Sequence, residues 1–215
     1  GGIGDVARLA LGDWLDGRPS RAAARLDAHL ARTPADLFAI KAVHAIRFMH
    51  GDLPGLAASI ERVLPAIEGT GPGLGYALGC HAFEGGAFAR AEQVGGRALE
   101  LAPDDAWGLH AVAHVFETTV RPDAGLALLG RHRGAYANCN NFRFHVVWHE
   151  ALFALETGDA ERALHLYDTV IRAVATDDFR DVANAVSLLV RLRLDGVDVG
   201  ARWDELAAIA EVRVE

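Results

Sequence analysis

The sequence predicts an all-α fold, a solenoid of about six antiparallel helix pairs, and three observations point to it. The first is a motif that returns one structural period later. Trp107-Gly-Leu-His110-Ala-Val-Ala-His114 and Phe142-Arg-Phe-His145-Val-Val-Trp148-His149 both read aromatic, two residues, His, three residues, His. Their heads lie 35 residues apart; stepping back gives Leu74 with Ala77 at +3 and His81 at +7, then Phe38 with Lys41 at +3 and His44 at +6. A period of that size headed by a large apolar residue marks a helical-hairpin repeat. The second is recurrent punctuation: Gly51-Asp52 returns as Gly158-Asp159, and Pro34-Ala-Asp36 returns as Pro103-Asp-Asp105 after 69 residues, close to two periods. The third is the near absence of period-2 alternation, which removes strands from consideration. A globin-like bundle is the competing fold, but bundles do not show self-similarity in sequence.

The helix pairs follow in order. Residues 3–16 place Val6, Leu9, Leu11 and Trp14 at helical spacing, and Gly17 and Pro19 end the helix. Residues 20–32 form an Ala-rich, close-packing partner that stops at Thr33-Pro34, with His29 expected on its surface. Helices over 36–50 and 56–67 flank the Gly51-Asp52 turn, and Asp36 supplies an N-cap carboxylate. The glycine-rich stretch 68–75 is a linker; without a preceding strand, GxGxxG or Lys-Ser/Thr it does not read as a phosphate cradle. Helices 74–84 and 88–101 make a third pair, 106–117 and 123–131 a fourth. Residues 134–141 read as a polar loop in which Asn140 or Asn141 caps the next helix. Helices 142–156 and 160–174 form the fifth pair around Gly158-Asp159. Asp177-Asp178 then caps a helix over 178–195 whose apolar stripe is Val182, Val186, Leu189, Val190 and Leu192, with a partner beginning at Trp203. The whole chain, 1–215, is expected to be one helical repeat domain, an incomplete copy of a longer protein.

Composition narrows the function. A content of 51% hydrophobic residues over 215 residues is enough to bury a core, so disorder is not expected. The net charge of -8, 29 acids against 21 bases with no basic run, argues against a nucleic-acid surface. Cys80 and Cys139 stand 59 residues apart with no CxxC, so neither a disulfide framework nor a thiolate zinc site is indicated. No apolar run reaches membrane-spanning length and no leader pattern opens the chain, which leads to the expectation of a soluble cytoplasmic protein with no membrane partner.

The chemistry-bearing residues are the histidines. Residues four apart on a helix share a face, so His110 and His114 point one way, as do His145 and His149. If consecutive first helices lie side by side, these four imidazoles fall in one layer, with His81 beside them and His44 at the far end. Glu117 continues the His110/His114 face and Glu150 follows His149. A divalent transition metal takes neutral imidazole nitrogens, often with a carboxylate, and the i, i+4 pair is a spacing used by helical metal sites. Imidazoles are equally suited to general acid/base work. The opposing reading is architectural. In the tetratricopeptide consensus the +3 and +7 slots of the first helix hold Leu and Tyr that pack between helices, and a histidine there can be a buried, hydrogen-bonded core residue. Repetition weighs against that reading, because an apolar solution to each slot needs no polar partner. Trp107, Trp148, Phe142 and Phe144 read as core or as a stacking surface for a ligand. Cys139, just before a helix N-terminus, is a surface thiol or a nucleophile. Arg191-Leu-Arg193 reads as a solvated face.

These residues also resemble a known family. Asp105-Ala-Trp107-Gly-Leu-His110-Ala-Val-Ala-His114-Val, Phe144-His145-Val-Val-Trp148-His149-Glu-Ala-Leu152, and Gly158-Asp159 with Ala163-Leu-His-Leu-Tyr167-Asp168 are similar to the tetratricopeptide repeat protein 38 family. Gly79-Cys80-His81-Ala82-Phe83, Ser187-Leu-Leu-Val-Arg191-Leu and Gly196-Val-Asp198-Val-Gly200-Ala-Arg-Trp203 extend the likeness over most of residues 36–203. The resemblance implies a TPR-like array with no assigned biochemical activity, and carries over His81, His110, His114, His145, Trp148 and His149 as its usual positions. Family members are commonly much longer, and after Phe83 this chain has a short Glu84-Gly85-Gly86-Ala87 where they have a longer helix end and turn.

Two functional classes stay open. One is a binding module whose concave face takes a peptide, protein or small-molecule ligand around His81, Trp107, His110, His114, His145, Trp148 and His149. The other is an enzyme using His110, His114, His145 and His149 as a metal or acid/base centre, assisted by Glu117, Glu150 or Cys139.

Overall fold

Four helical hairpins in this chain are closed by the same device. Gly17, Gly51, Gly158 and Gly196 adopt φ between 72° and 81°, the left-handed conformation that only glycine takes without steric cost. The next residue donates its N–H back to the carbonyl five residues earlier: Arg18 to Asp13 (2.8 Å), Asp52 to Arg47 (2.9 Å), Asp159 to Ala154 (2.8 Å) and Val197 to Leu192 (2.9 Å). This is the glycine-ended C-cap that satisfies the last helical carbonyls. Arg121 makes the same bond to Phe116 (2.9 Å), but there the left-handed residue is Val120, φ 53°.

The computed structural model describes residues 2–68 and 73–213, with only the backbone of Arg213. The central residues of the glycine-rich linker, 69–72, lie outside the described residues. Among the described residues there are thirteen α-helices and one π-helical turn, and no strand. The first six helices are Ile3–Leu15 (α1), Pro19–Leu30 (α2), Leu37–His50 (α3), Leu53–Ile67 (α4), Gly73–Phe83 (α5) and Phe88–Leu101 (α6). Ala106–Thr118 (α7), Pro122–Arg131 (α8), Arg133–Tyr136 (α9), Phe142–Glu156 (α10), Ala160–Leu166 (α11), Phe179–Leu194 (α12) and Arg202–Arg213 (α13) follow. The chain forms two compact units that divide within α7, between Val115 and Phe116.

In the first unit α1 packs on α2, α3 on α4 and α5 on α6, while the first helices α1, α3 and α5 lie in succession beside one another. Their shared core holds Leu26, Ile40, Leu56, Ile60, Ile67 and Leu109. Gly95 lets α6 approach closely, since a Cβ there would meet Val112 at 2.5 Å and the Cys80 sulfur at 2.6 Å. Asp36 caps α3, accepting from Ala39 N (3.0 Å), and Asp105 accepts from Trp107 N (3.0 Å), so both repeated Pro-x-Asp openers act as read from sequence. In the second unit α10 is the hub, packed against α8, α11 and α12 around Leu129, Tyr136, Phe153, Ile171 and Leu188.

Four expectations need correction. Residues 134–141 are not all loop: α9 occupies Arg133–Tyr136, and it is Asn140 that accepts from Phe142 N (3.2 Å). The helix expected over 160–174 changes at Leu166 into a π-helical turn, Tyr167–Ile171; apolar spacing looks alike whether a turn closes at i+4 or i+5, so the pattern could not show it. His29 is buried, with Nε2 2.8 Å from Asp36 Oδ2. The buried face of α12 is Asp181, Asn184, Ala185, Leu188, Leu189 and Leu192, leaving Val190 exposed. In α1, Leu9 and Leu11 are likewise exposed, and Leu11 lines an open apolar groove of about 520 Å³ with Trp14, Phe38 and Met49.

Candidate functional site

The repeat places one imidazole after another along the first helices of the first unit. His44 on α3 and His81 on α5 meet edge to face, ring centroids 5.0 Å apart, and His81 lies 6.3 Å from His114 on α7. One turn earlier on α7, His110 stands 4.4 Å from His114, with their Nε2 atoms 3.0 Å apart. That distance is a hydrogen bond in which one Nε2–H donates to the other ring's lone pair. Glu84, on the short turn after α5, brings Oε1 to 2.7 Å from His81 Nδ1.

His44 is the exception in this run: it is buried, and among the described residues neither ring nitrogen has a hydrogen-bond partner. Burial pushes its pKa down to about 3, with the nearby charges of His81 and Lys41 adding to the effect, so it is neutral at pH 7. The flanking aromatics face outward. Phe48 is exposed and 4.9 Å from His81. Trp107 is also exposed, with the Lys41 ammonium 4.8 Å from the centre of its ring. Burial lowers the Lys41 pKa, and Asp105 opposes the shift.

In the second unit each ring has an oxygen close to its Nδ1. His149 is fully buried, and its Nδ1 lies 2.7 Å from Glu117 Oε2. His145 Nδ1 is 3.2 Å from Asn184 Oδ1, an amide oxygen that can only accept, so the ring proton sits on Nδ1. Burial, with His149 adding, lowers the His145 pKa to about 4, leaving it neutral at pH 7. The two rings are 4.9 Å apart, and Trp148 stacks on His145 at 5.3 Å. The aromatic-x-x-His unit keeps one spacing in both motifs: Trp107 to His110 and Phe142 to His145 are each 6.2 Å between ring centroids. Glu117 also lines a solvent-open pocket of about 210 Å³, together with Arg121, Glu156 and Arg191. Arg191 is more than a solvated charge, since its guanidinium lies 5.9 Å from the centre of the Trp148 ring.

Two expected helpers stand apart. Glu150 follows His149 in sequence, but a one-residue step turns it about 100° around the helix. It is buried against Arg133 (2.9 Å) and Arg162 (2.8 Å), with the Tyr136 hydroxyl donating at 3.4 Å, and so acts as a structural counter-ion. Cys139 is half-buried and donates its thiol to Ala135 O (3.7 Å). Cys80 is buried in the α5/α6 core, which pushes its thiol pKa well up and keeps it unreactive. Asn184 and Glu84 were missed in the sequence. The one signal for Asn184 was an amide at i+3 from Asp181 and i+4 before Leu188, on what proves to be the buried face of α12.

The architecture has a solved counterpart. A thermophilic TPR protein from Thermus thermophilus, known from its crystal structure, superposes with a TM-score of 0.66 over 88% of this chain and 100% of its own, at 16% identity. The fold is TPR-like. No family model matches the chain. Among the described residues no helix is long and apolar enough to cross a membrane.

Proposed function

We propose that this TPR-like protein binds a ligand or partner, whether peptide, protein or small molecule, on the concave face of its first helices around the histidine layer. The observation that carries the reading is the run His44, His81, His114, His110 across α3, α5 and α7, with Phe48 and Trp107 exposed beside it. A packing layer needs no exposed indole held under a lysine. A recognition surface gains from one, because large rigid aromatics anchor interfaces. The resemblance to the tetratricopeptide repeat protein 38 family adds His145, Trp148 and His149 of the second unit as candidate binding positions in their own right.

Peptide selection on the immobilised domain tests this. Selected peptides should bind at least ~10-fold more weakly to Trp107→Ala, a loss of about 1.4 kcal/mol, while circular dichroism and melting stay as in the wild type. Peptides that bind both proteins equally would remove the reading.

A second reading, an enzyme with the imidazoles as an acid/base or metal centre, is favoured by the Glu117 contact to His149 beside an open pocket. A neutral His145 at pH 7 suits both roles.

A further inference from the structure

The apolar groove of the first unit lies between α1 and α3, and its walls are two helix faces. Ala7, Ala10, Leu11 and Trp14 stand at i, i+3, i+4 and i+7 of α1, while Phe38, Ala42, Ala45 and Met49 stand at i, i+4, i+7 and i+11 of α3. Such stripes normally pack on a neighbouring element, yet Leu11 is 58%, Phe38 59% and Met49 72% exposed. A continuous apolar surface left open in this way marks an interaction site.

What the walls lack narrows the occupant. Apart from the Arg8 guanidinium and the Trp14 indole, no side chain lining the groove carries nitrogen or oxygen. An extended peptide laid there would leave backbone N–H and C=O groups without partners, whereas a helix bonds its own. Alanines in both walls admit the ridges of a helix. A helix is about 10–12 Å wide and reaches the exposed rims, which a single acyl chain would leave uncovered; the α3 wall is roughly 16 Å long, three turns of such an occupant. Arg8 sets the sign of the partner. Arg18, Arg21 and Arg25 all converge on Asp13, but Arg8 has no ion pair among the described residues. A cation at the edge of an apolar groove complements an acidic side chain beside apolar anchors. A second copy of this chain is the poorer occupant, because two molecules of net charge -8 repel.

We propose that this groove docks an amphipathic helix of a partner protein, its apolar anchors at i, i+4 and i+7 seated between α1 and α3 and an acidic residue set against Arg8. Lys41, His44 and Phe48 lie roughly 100° further round α3, so the helix site goes beyond the histidine layer and stands or falls separately from it.

The test titrates the full chain with stapled helices of about 15 residues, free of tryptophan, carrying Leu at i, i+4 and i+7 and flanked by Glu, Gln or Arg. Calorimetry measures affinity, tryptophan emission reports the site and circular dichroism checks folding. The Glu-flanked helix should bind most tightly and shift the emission to the blue; Trp14→Phe should lose the shift and keep the binding. Leu11→Ser should weaken binding at least ~10-fold. Arg8→Glu, a change at an exposed residue, should invert the preference, so that the Arg-flanked helix binds more tightly than the Glu-flanked one. A peptide of the same composition with prolines that prevent the helix should bind at least ~10-fold more weakly. No binding by any of the three helices, the same order of affinities in wild type and Arg8→Glu, or equal binding of the proline peptide would each overturn the proposal. So would a dimer in sedimentation that Met49→Glu converts to monomer, or palmitate bound in the groove to the exclusion of every helix. Helix binding that survives Trp107→Ala supports this site whatever becomes of the histidine-layer reading, and helix binding lost there overturns it.

Discussion

His44 and His149 are both buried imidazoles on first helices, yet different groups stand beside them. In the first unit His44 touches His81 edge to face and has neither nitrogen bonded among the described residues, while His110 and His114 satisfy each other. In the second unit His149 has a carboxylate and His145 an amide oxygen at Nδ1. The same sequence motif therefore sets His44 against the His81 ring and His149 close to a carboxylate, a difference between two positions rather than two whole units, since His81 also has Glu84 Oε1 2.7 Å from its Nδ1. A ring without partners is a cost that only packing or a ligand offsets.

The largest expected effect comes from removing the fully buried His149 ring. His149→Leu should destabilise the protein by about 2–3 kcal/mol, because the Glu117 carboxylate loses its partner and a well-filled site is reshaped. Denaturant midpoints with an unchanged slope would measure it, and a stabilised variant would show that the Glu117 contact does not anchor the ring. Close packing in the same unit provides a control away from the histidines. At Gly125 a Cβ would meet the Phe153 ring at 2.3 Å, so Gly125→Ala should cost about 1–3 kcal/mol through overpacking, with no change in peptide binding.

His44→Leu should do the reverse, adding about 1 kcal/mol near pH 7 by removing two unbonded buried nitrogens. The gain should grow in acid. Unfolded histidine titrates near 6.5 and His44 in the fold at about 3, so between those values the unfolded chain binds the extra proton. Stability at this site is thus full above about 6.5 and falls as pH drops towards 3. The groups facing it are His81 from α5 and Lys41 from its own helix, and both lower its pKa. Urea melts at neutral and acid pH compare the two proteins. A wild-type slope that persists unchanged in the variant would place the acid sensitivity elsewhere.

The fold was legible because it is written in spacing. The period from Trp107 to Phe142, the repeated Gly-Asp turn and the Pro-x-Asp openers each specify a backbone event, and each occurs where its residues stand. The layer in the first unit was legible for the same reason, since His44, His81 and His114 occupy nearly one register. What spacing could not convey was which polar residue stands behind each ring. Asn184 comes from α12, 39 residues after His145, and local pattern has no means of pairing them. Reading α12 by apolarity alone found Leu189 and Leu192 but missed the polar part of the buried face, where Asp181 is bonded to Asn141 (2.8 Å) and Thr176 (2.6 Å). Glu150 misled by adjacency, which on a helix separates rather than joins.

The smallest effect tests the repeat itself. Val120 holds the position that Gly17, Gly51, Gly158 and Gly196 hold in their turns, at φ 53° and 72% exposed. A β-branched residue in that conformation costs about 1–2 kcal/mol, and glycine there gives back about 0.5–1 kcal/mol in unfolded-state entropy. With little packing to lose, Val120→Gly should raise stability by up to about 1 kcal/mol, and Val120→Asn by less, since asparagine tolerates the left-handed region better than valine but not as well as glycine. Val120 also lines the pocket beside Glu117, so the comparison has a second edge. If Val120→Gly stabilises the turn and leaves peptide binding untouched, the valine is a tolerated departure from the repeat. If it stabilises the fold while weakening that binding, the strained turn serves the pocket, and the cost falls where the second unit already differs most from the first.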